Sequence, residues 1–220
     1  MIDREYGVVL RQYQHHPHKF SVITQTLGKI TLVIRNKYVL DRINPGSVIE
    51  FHHGNQNQMV HIVQSCSVVF TPLPTTNSDL IWLHHILELC YYFVPLHQQT
   101  PEVFLALSTC IFAFKDNTLI ADDEWELVKR LCIATILLLV GFFPPDDLAK
   151  PVLIIKNTLL SFVDFDHESK VDFLKYCIRT YCAVKHSTLD TWLLDCIQSH
   201  PQVGAFRTLS FMYKTTVIKS

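Results

Sequence analysis

The chain changes its hydrophobic period once, at residues 71–78, and that single change limits it to a β part followed by an α part. The segment Thr71-Pro72-Leu73-Pro74-Thr75-Thr76-Asn77-Ser78 carries two prolines and a polar cluster, which is the composition of a break between elements. Before it, short runs rich in Val, Ile, Tyr, Phe and Thr are separated by turn residues, and they predict five strands at 5–13, 19–27, 29–36, 47–53 and 58–70. Leu27-Gly28-Lys29 reads as a tight reversal, Asn44-Pro45-Gly46-Ser47 as a turn, and His53-Gly54-Asn55-Gln56-Asn57 as a polar hairpin connection. A five-stranded antiparallel unit of this size is expected to close on itself as an OB-like barrel, which removes its edges, with another small barrel as the alternative.

After the break the period becomes 3.6. Asp79 to Phe93 places Leu80, Leu83, Leu87 and Tyr91 at helical spacing. Thr100 is the expected N-cap of a helix with Pro101 at its first position. Asp122-Asp123-Glu124 precedes a helix through Trp125, Val128, Leu131, Cys132 and Thr135, where acids complement the helix dipole, and Gly141 with Pro144-Pro145 stops it. Further helices are predicted over 151–163, 168–184 and 188–199. The chain as a whole is therefore expected to be α+β: an N-terminal OB-like antiparallel β-barrel at 1–72, a linker at 73–78, and an all-α helical domain at 79–220.

Charge follows the same division. The 220 residues carry a formal net charge of −1, yet residues 1–78 hold seven Lys/Arg against four Asp/Glu and six of the twelve His. A polyanionic partner would therefore sit on the barrel. With 49% hydrophobic and 18% charged residues the chain has the material for packed cores. The opening Met1-Ile2-Asp3-Arg4-Glu5-Tyr6 is charged and has no apolar h-region, so no secretory signal is expected. The seven cysteines include no C-x-x-C pair, which argues against both a disulfide framework and a zinc site and for the reducing cytoplasm. The apolar run from Leu131 to Phe143 is shorter than the ~20 residues that span a bilayer, and a buried core helix is expected there.

Motifs for catalysis are missing. Six glycines form no G-x-x-x-x-G-K-[ST] and no G-x-G-x-x-G, and no G-x-S-x-G elbow occurs. Asp164-x-Asp166-x-Glu168 fails as a calcium loop because Ser169 and Lys175 stand where Gly and a bidentate acid are needed. The His15-His16/His18 cluster reads as a solvated loop around Pro17, and adjacent histidines elsewhere diverge. No catalytic residue, cofactor or metal is assigned.

The basic residues of the barrel form a more specific pattern. In Lys29-Ile30-Thr31-Leu32-Val33-Ile34-Arg35-Asn36-Lys37, alternation puts Ile30, Leu32 and Ile34 on one face and Lys29, Arg35 and Lys37 on the other. Arg11 and Tyr13 share a face of the first strand opposite Val8 and Leu10. Lys19 opens the second strand beside Phe20, and Arg42 follows Tyr38. Cations interleaved with aromatics suit single-stranded nucleic acid, since cations follow phosphates and rings stack on bases. A plain solvated face is the alternative.

In order along the chain, these pieces resemble the RecO family of recombination and repair mediators. Tyr6-Gly7-Val8-Val9-Leu10, the strand from Phe20 to Thr26, Leu27-Gly28-Lys29-Ile30 and the segment Ile43-Asn44-Pro45-Gly46-Ser47-Val48-Ile49-Glu50-Phe51 are similar to that family's N-terminal domain. Tyr91-Tyr92-Phe93-Val94-Pro95-Leu96 before Pro101-Glu102-Val103-Phe104, and Trp125-Glu126-Leu127-Val128-Lys129-Arg130-Leu131 through Gly141-Phe142-Phe143-Pro144, are similar to its helical part. The resemblance covers most of residues 4–146. It implies a non-enzymatic protein that binds single- and double-stranded DNA and promotes strand annealing. With a RecR-like protein it would help load recombinase onto DNA coated by single-strand-binding protein. Many members carry a four-cysteine zinc motif after the segment matched by Gly141-Phe142-Phe143-Pro144, and this chain has none. The competing expectation is a RecO-like protein-interaction module with little or no DNA binding.

Overall fold

Contiguous apolar runs in the first two strands, Val8-Val9-Leu10 and Phe20-Ser21-Val22-Ile23, bury both faces of each strand instead of one. The computed structural model describes residues 4–53, 60–113, 122–161 and 186–208. Strands β1 (Arg4–Tyr13), β2 (His16–Thr24), β3 (Gly28–Val33), β4 (Val48–His53) and β5 (Val60–Phe70) close into a barrel in the order β1-β2-β3-β5-β4. A short helix α1 (Lys37–Leu40) lies between β3 and β4. This is the expected OB-like barrel, with one difference from a fully antiparallel unit. The barrel closes through a parallel pair, Thr31↔Val60 to Val33↔Ile62, because the chain reverses through β4 and returns in the direction of β3.

The barrel interior is Val9, Phe20, Val22, Ile30, Leu32, Ile34, Ile43, Ile49, Phe51 and Val63, with Val39 and Leu40 of α1 packed against it. Ile30, Leu32 and Ile34 thus face inward together, as alternation predicts. On β1 the inward residue is Val9, while Val8 and Leu10 join Ile23 and Val48 in a second apolar cluster with the helices.

That second cluster belongs to α2 (Asn77–Phe93), α3 (Pro101–Ala113), α4 (Asp122–Leu139), α5 (Asp146–Ser161) and α6 (His186–Gln198). The cap of α2 is Thr76, whose Oγ1 accepts from the Asp79 N–H at 3.1 Å. Helix α3 starts at Pro101 as expected, but Thr100 contributes its backbone carbonyl to Phe104 at 3.1 Å, and its buried Oγ1 has no hydrogen-bond partner among the described residues. Helix α5 begins before the predicted residue 151, on the Pro145 carbonyl, and carries Pro151 inside it. Leu80, expected on the apolar stripe of α2, is exposed. The helix predicted over 168–184, the end of the one over 151–163, the acidic segment at 164–168 and Cys177 and Cys182 lie outside the described residues.

A buried ion pair fixes α2 on α4. Lys129 Nζ lies 2.8 Å from Asp79 Oδ1, and both side chains are almost fully enclosed. The Trp125 indole N–H donates to Asp79 Oδ1 at 2.9 Å, and the Trp82 indole N–H donates to the Lys129 carbonyl at 3.0 Å. Burial alone would raise the Asp79 carboxyl, but hydrogen bonds from Lys129, Trp125 and Thr76, with the Lys129 charge, hold it below its ordinary value.

The β2–β3 reversal docks on the connection between α2 and α3. Gly28 has φ +73°, and a Cβ there would lie 1.9 Å from the Gln98 carbonyl oxygen, so the close approach needs glycine. The His97 N–H donates to the Lys29 carbonyl at 2.9 Å across the same junction. Just before the segment expected as a linker, Pro72 is buried and the Thr71 and Ser47 hydroxyls lie 3.1 Å apart, whereas Leu73 and residues 75–78 are exposed.

Candidate nucleic-acid interface

Lys29 lies opposite Ile30 and Leu32, yet it is not part of a cationic stripe in solvent. Its face of β3 is covered by the end of α2, and Nζ donates to the Tyr91 carbonyl at 2.5 Å. Only 6% of the residue is exposed, and burial lowers its pKa from 10.5 to about 8, against a small opposing influence from Cys90. Arg35 and Lys37 fall beyond Val33, where β3 ends, so strand alternation does not govern them. Both are exposed, Arg35 in the connection and Lys37 at the start of α1.

The remaining cations gather in two places. The first is the rim beside α1, where Arg35, Lys37 and Arg42 are exposed together with Tyr38, which is 86% exposed. Asn36 sets this turn by accepting the Tyr38 N–H on its Oδ1 at 3.0 Å. Backbone pairing of Lys19 with Val33, and of the Ile34 N–H with the His18 carbonyl at 2.9 Å, brings the start of β2 alongside. There Lys19 Nζ lies 5.1 Å from the centre of the Tyr13 ring.

The second place is a cleft of about 290 Å³ between β1 and α2. Arg11 borders it with its guanidinium carbon 5.3 Å from the centre of the Tyr91 ring. A register shift between Val9 and Arg11 breaks the predicted alternation, so Leu10 and Arg11 line the same cleft instead of opposite faces. Burial raises the Tyr91 phenol above its ordinary value, the neighbouring Tyr13 adds to this, and Arg11 opposes it. Tyr91 and Tyr92 stand edge to face at 5.0 Å.

Of the seven residues expected at a nucleic-acid site, Arg11, Tyr13 and Lys19 therefore form cation–aromatic contacts, Arg35, Lys37 and Arg42 are exposed and near Tyr38 along the chain, and Lys29 is withdrawn into the junction. His84, Glu88, Tyr91, Tyr92 and Arg207 were not anticipated. The spacing of His84, Glu88, Tyr91 and Tyr92 places them on one face of a helix, a signal present in the sequence but overshadowed by the leucines of the same helix.

Among the described residues, no group of three or more His, Cys, Asp or Glu side chains is arranged to hold a metal ion, and no helix is long and apolar enough to cross a membrane. Burial raises the thiol of Cys66 to about 11 and that of Cys90 to about 12, which suits packing more than nucleophilic chemistry. No family model matches the chain, and no curated protein matches it.

Proposed function

We propose that this protein is a RecO-like mediator of DNA recombination and repair in the cytoplasm, acting without bond-breaking chemistry. The observation that carries this reading is the set of exposed or half-buried barrel cations, with Lys19 on the Tyr13 ring, Arg11 on the Tyr91 ring of α2, and Arg35, Lys37 and Arg42 exposed near Tyr38 along the chain. Cations on the rim neutralise backbone phosphates of single- and double-stranded DNA, and exposed rings receive unpaired bases. Reduced repulsion between two bound strands then favours their annealing. The helical part is the surface for a RecR-like protein and for single-strand-binding protein, in support of recombinase loading.

The sequestration of Lys29 favours a second reading, a protein-interaction module with little DNA affinity, because it removes one cation from an already small set. Annealing of two complementary fluorescent oligonucleotides separates the two. Catalytic amounts of purified protein are expected to accelerate duplex formation at low salt. An unchanged annealing rate, with no protein–DNA complex detectable, would leave the interaction module as the function.

A further inference from the structure

The cleft between β1 and α2 has the makings of a ligand site separate from the rim. Its volume of about 290 Å³ is near the lower end of small-molecule sites, which begin at roughly 300 Å³. Arg11 enters from β1 and Arg207 from the segment after the 3-10 turn Val203–Ala205. Neither guanidinium has an ion-pair or hydrogen-bond partner among the described residues, so the donors of both remain uncommitted. Such forks match phosphate oxygens.

The one carboxylate of the cleft is already occupied. Glu88 accepts from the N–H groups of Arg207 and Thr208 at 3.2 and 3.1 Å and from Thr208 Oγ1 at 2.6 Å. Those bonds, with the Tyr92 hydroxyl on the Ala205 carbonyl at 3.3 Å and Thr208 Oγ1 2.8 Å from His85 Nδ1, hold the Arg207 segment against α2 as a fixed wall. Leu10, Leu87 and Tyr92 supply apolar and aromatic lining, and Gln12, Gln14 and His84 add polar groups. Two uncommitted guanidinium groups beside Leu10, Leu87 and Tyr92, in a space of this size, suit one planar ring attached to one anionic group.

We propose that this cleft binds a single nucleotide unit, its phosphate on Arg11 and Arg207 and its base against the Leu10, Leu87 and Tyr92 wall, either as a free nucleotide or as the phosphorylated end of a strand. The site shares Arg11 and Tyr91 with the cation–aromatic set of the proposed function, but it uses none of the rim residues Arg35, Lys37 and Arg42.

Calorimetric titration of the full chain with dTMP and dAMP tests this directly. Saturable binding is expected for at least one of them, with the matching nucleoside at least roughly tenfold weaker, and with a similar loss in Arg207→Ala and in Arg11→Gln. A ten-residue oligo-dT with a 5′-phosphate, compared with its 5′-hydroxyl form, distinguishes the sources. A phosphate-dependent gain that disappears in Arg207→Ala identifies the strand end, whereas discrimination confined to the mononucleotides identifies the free nucleotide. Binding of neither mononucleotide, unchanged affinity in both folded variants, or equal competition by glutarate would overturn the proposal. A variant with Arg35, Lys37 and Arg42 changed to Ala keeps its dTMP binding if the two sites are separate. Absence of strand annealing by the wild-type chain beside intact nucleotide binding would count against the proposed function alone.

Discussion

Asp79 and Lys129 carry opposite charges into an interior, where Lys129 Nζ also lies 2.6 Å from Glu126 Oε1. Removing Asp79 leaves Lys129 with the partly exposed Glu126 as its carboxylate partner, so Asp79→Ala is expected to destabilise the chain in denaturant unfolding by less than the roughly 3–5 kcal/mol of a buried charge left unpaired. The lowered carboxyl value also sets a pH dependence. Its stabilisation is complete above the ordinary value of 3.8 and is lost as pH falls below that through the folded-state value, so acid unfolding should be shallower in Asp79→Asn. Lys29 behaves in the opposite sense. Its folded value of about 8 lies below 10.5, so the penalty for its buried charge is complete below about pH 8 and is relieved as pH rises towards 10.5. Titration of its ammonium by NMR is expected to show a midpoint near 8, and a midpoint near 10.5 would mean that the amine is in water. Alternation in the sequence located Lys29 opposite Ile30 and Leu32. It did not reveal whether water or a helix covers that face, because the covering residues lie more than sixty positions away.

At the scale of elements, the positions of the strands were legible because each is bounded by residues with definite turn chemistry, such as Gly28 and Asn44-Pro45-Gly46-Ser47. The parallel β3–β5 closure was less legible, since strand patterns specify faces and not neighbours. The end of β3 at Val33 was missed for a related reason: Ile34 continues the inward alternation although it stands outside the strand. The Leu27-Gly28-Lys29 reversal, which contributed to the family resemblance, is a docking corner between barrel and helices. Gly28→Ala would place a methyl group against the Gln98 carbonyl at a positive φ, and it is expected to lower stability by more than about 1 kcal/mol. Unchanged thermal stability in this variant would show that the corner does not bind the barrel to the helices.

For the whole molecule, the two parts read from the sequence share one apolar cluster, in which Val8, Leu10, Ile23 and Val48 of the barrel meet Leu83, Leu87 and Leu107 of the helices. The division at 71–78 is therefore a change of secondary structure across a continuous core. Among the described residues, the rim around α1 and the β1–α2 cleft bring charge and aromatic rings to the surface. Half of the candidate site was visible in the sequence, because Arg11, Tyr13, Lys19 and the cations at 35–42 lie close together along the chain. The half supplied by α2 and Arg207 was not, because only the folded chain brings residues 84–92 and 207 against residues 10–14.

The most direct test of the account is the salt dependence of oligonucleotide binding by the wild-type chain and by the variant with Arg35, Lys37 and Arg42 changed to Ala. All three side chains are exposed, so the variant should fold as the wild type does. Each phosphate that the variant no longer neutralises is expected to reduce the slope of log affinity against log salt by ~0.7 on single strands, similarly for different sequences. A slope lowered by up to about 2 units, with weakened binding, is the predicted result. The same affinity and the same slope in the folded variant would contradict a DNA-binding role for the rim.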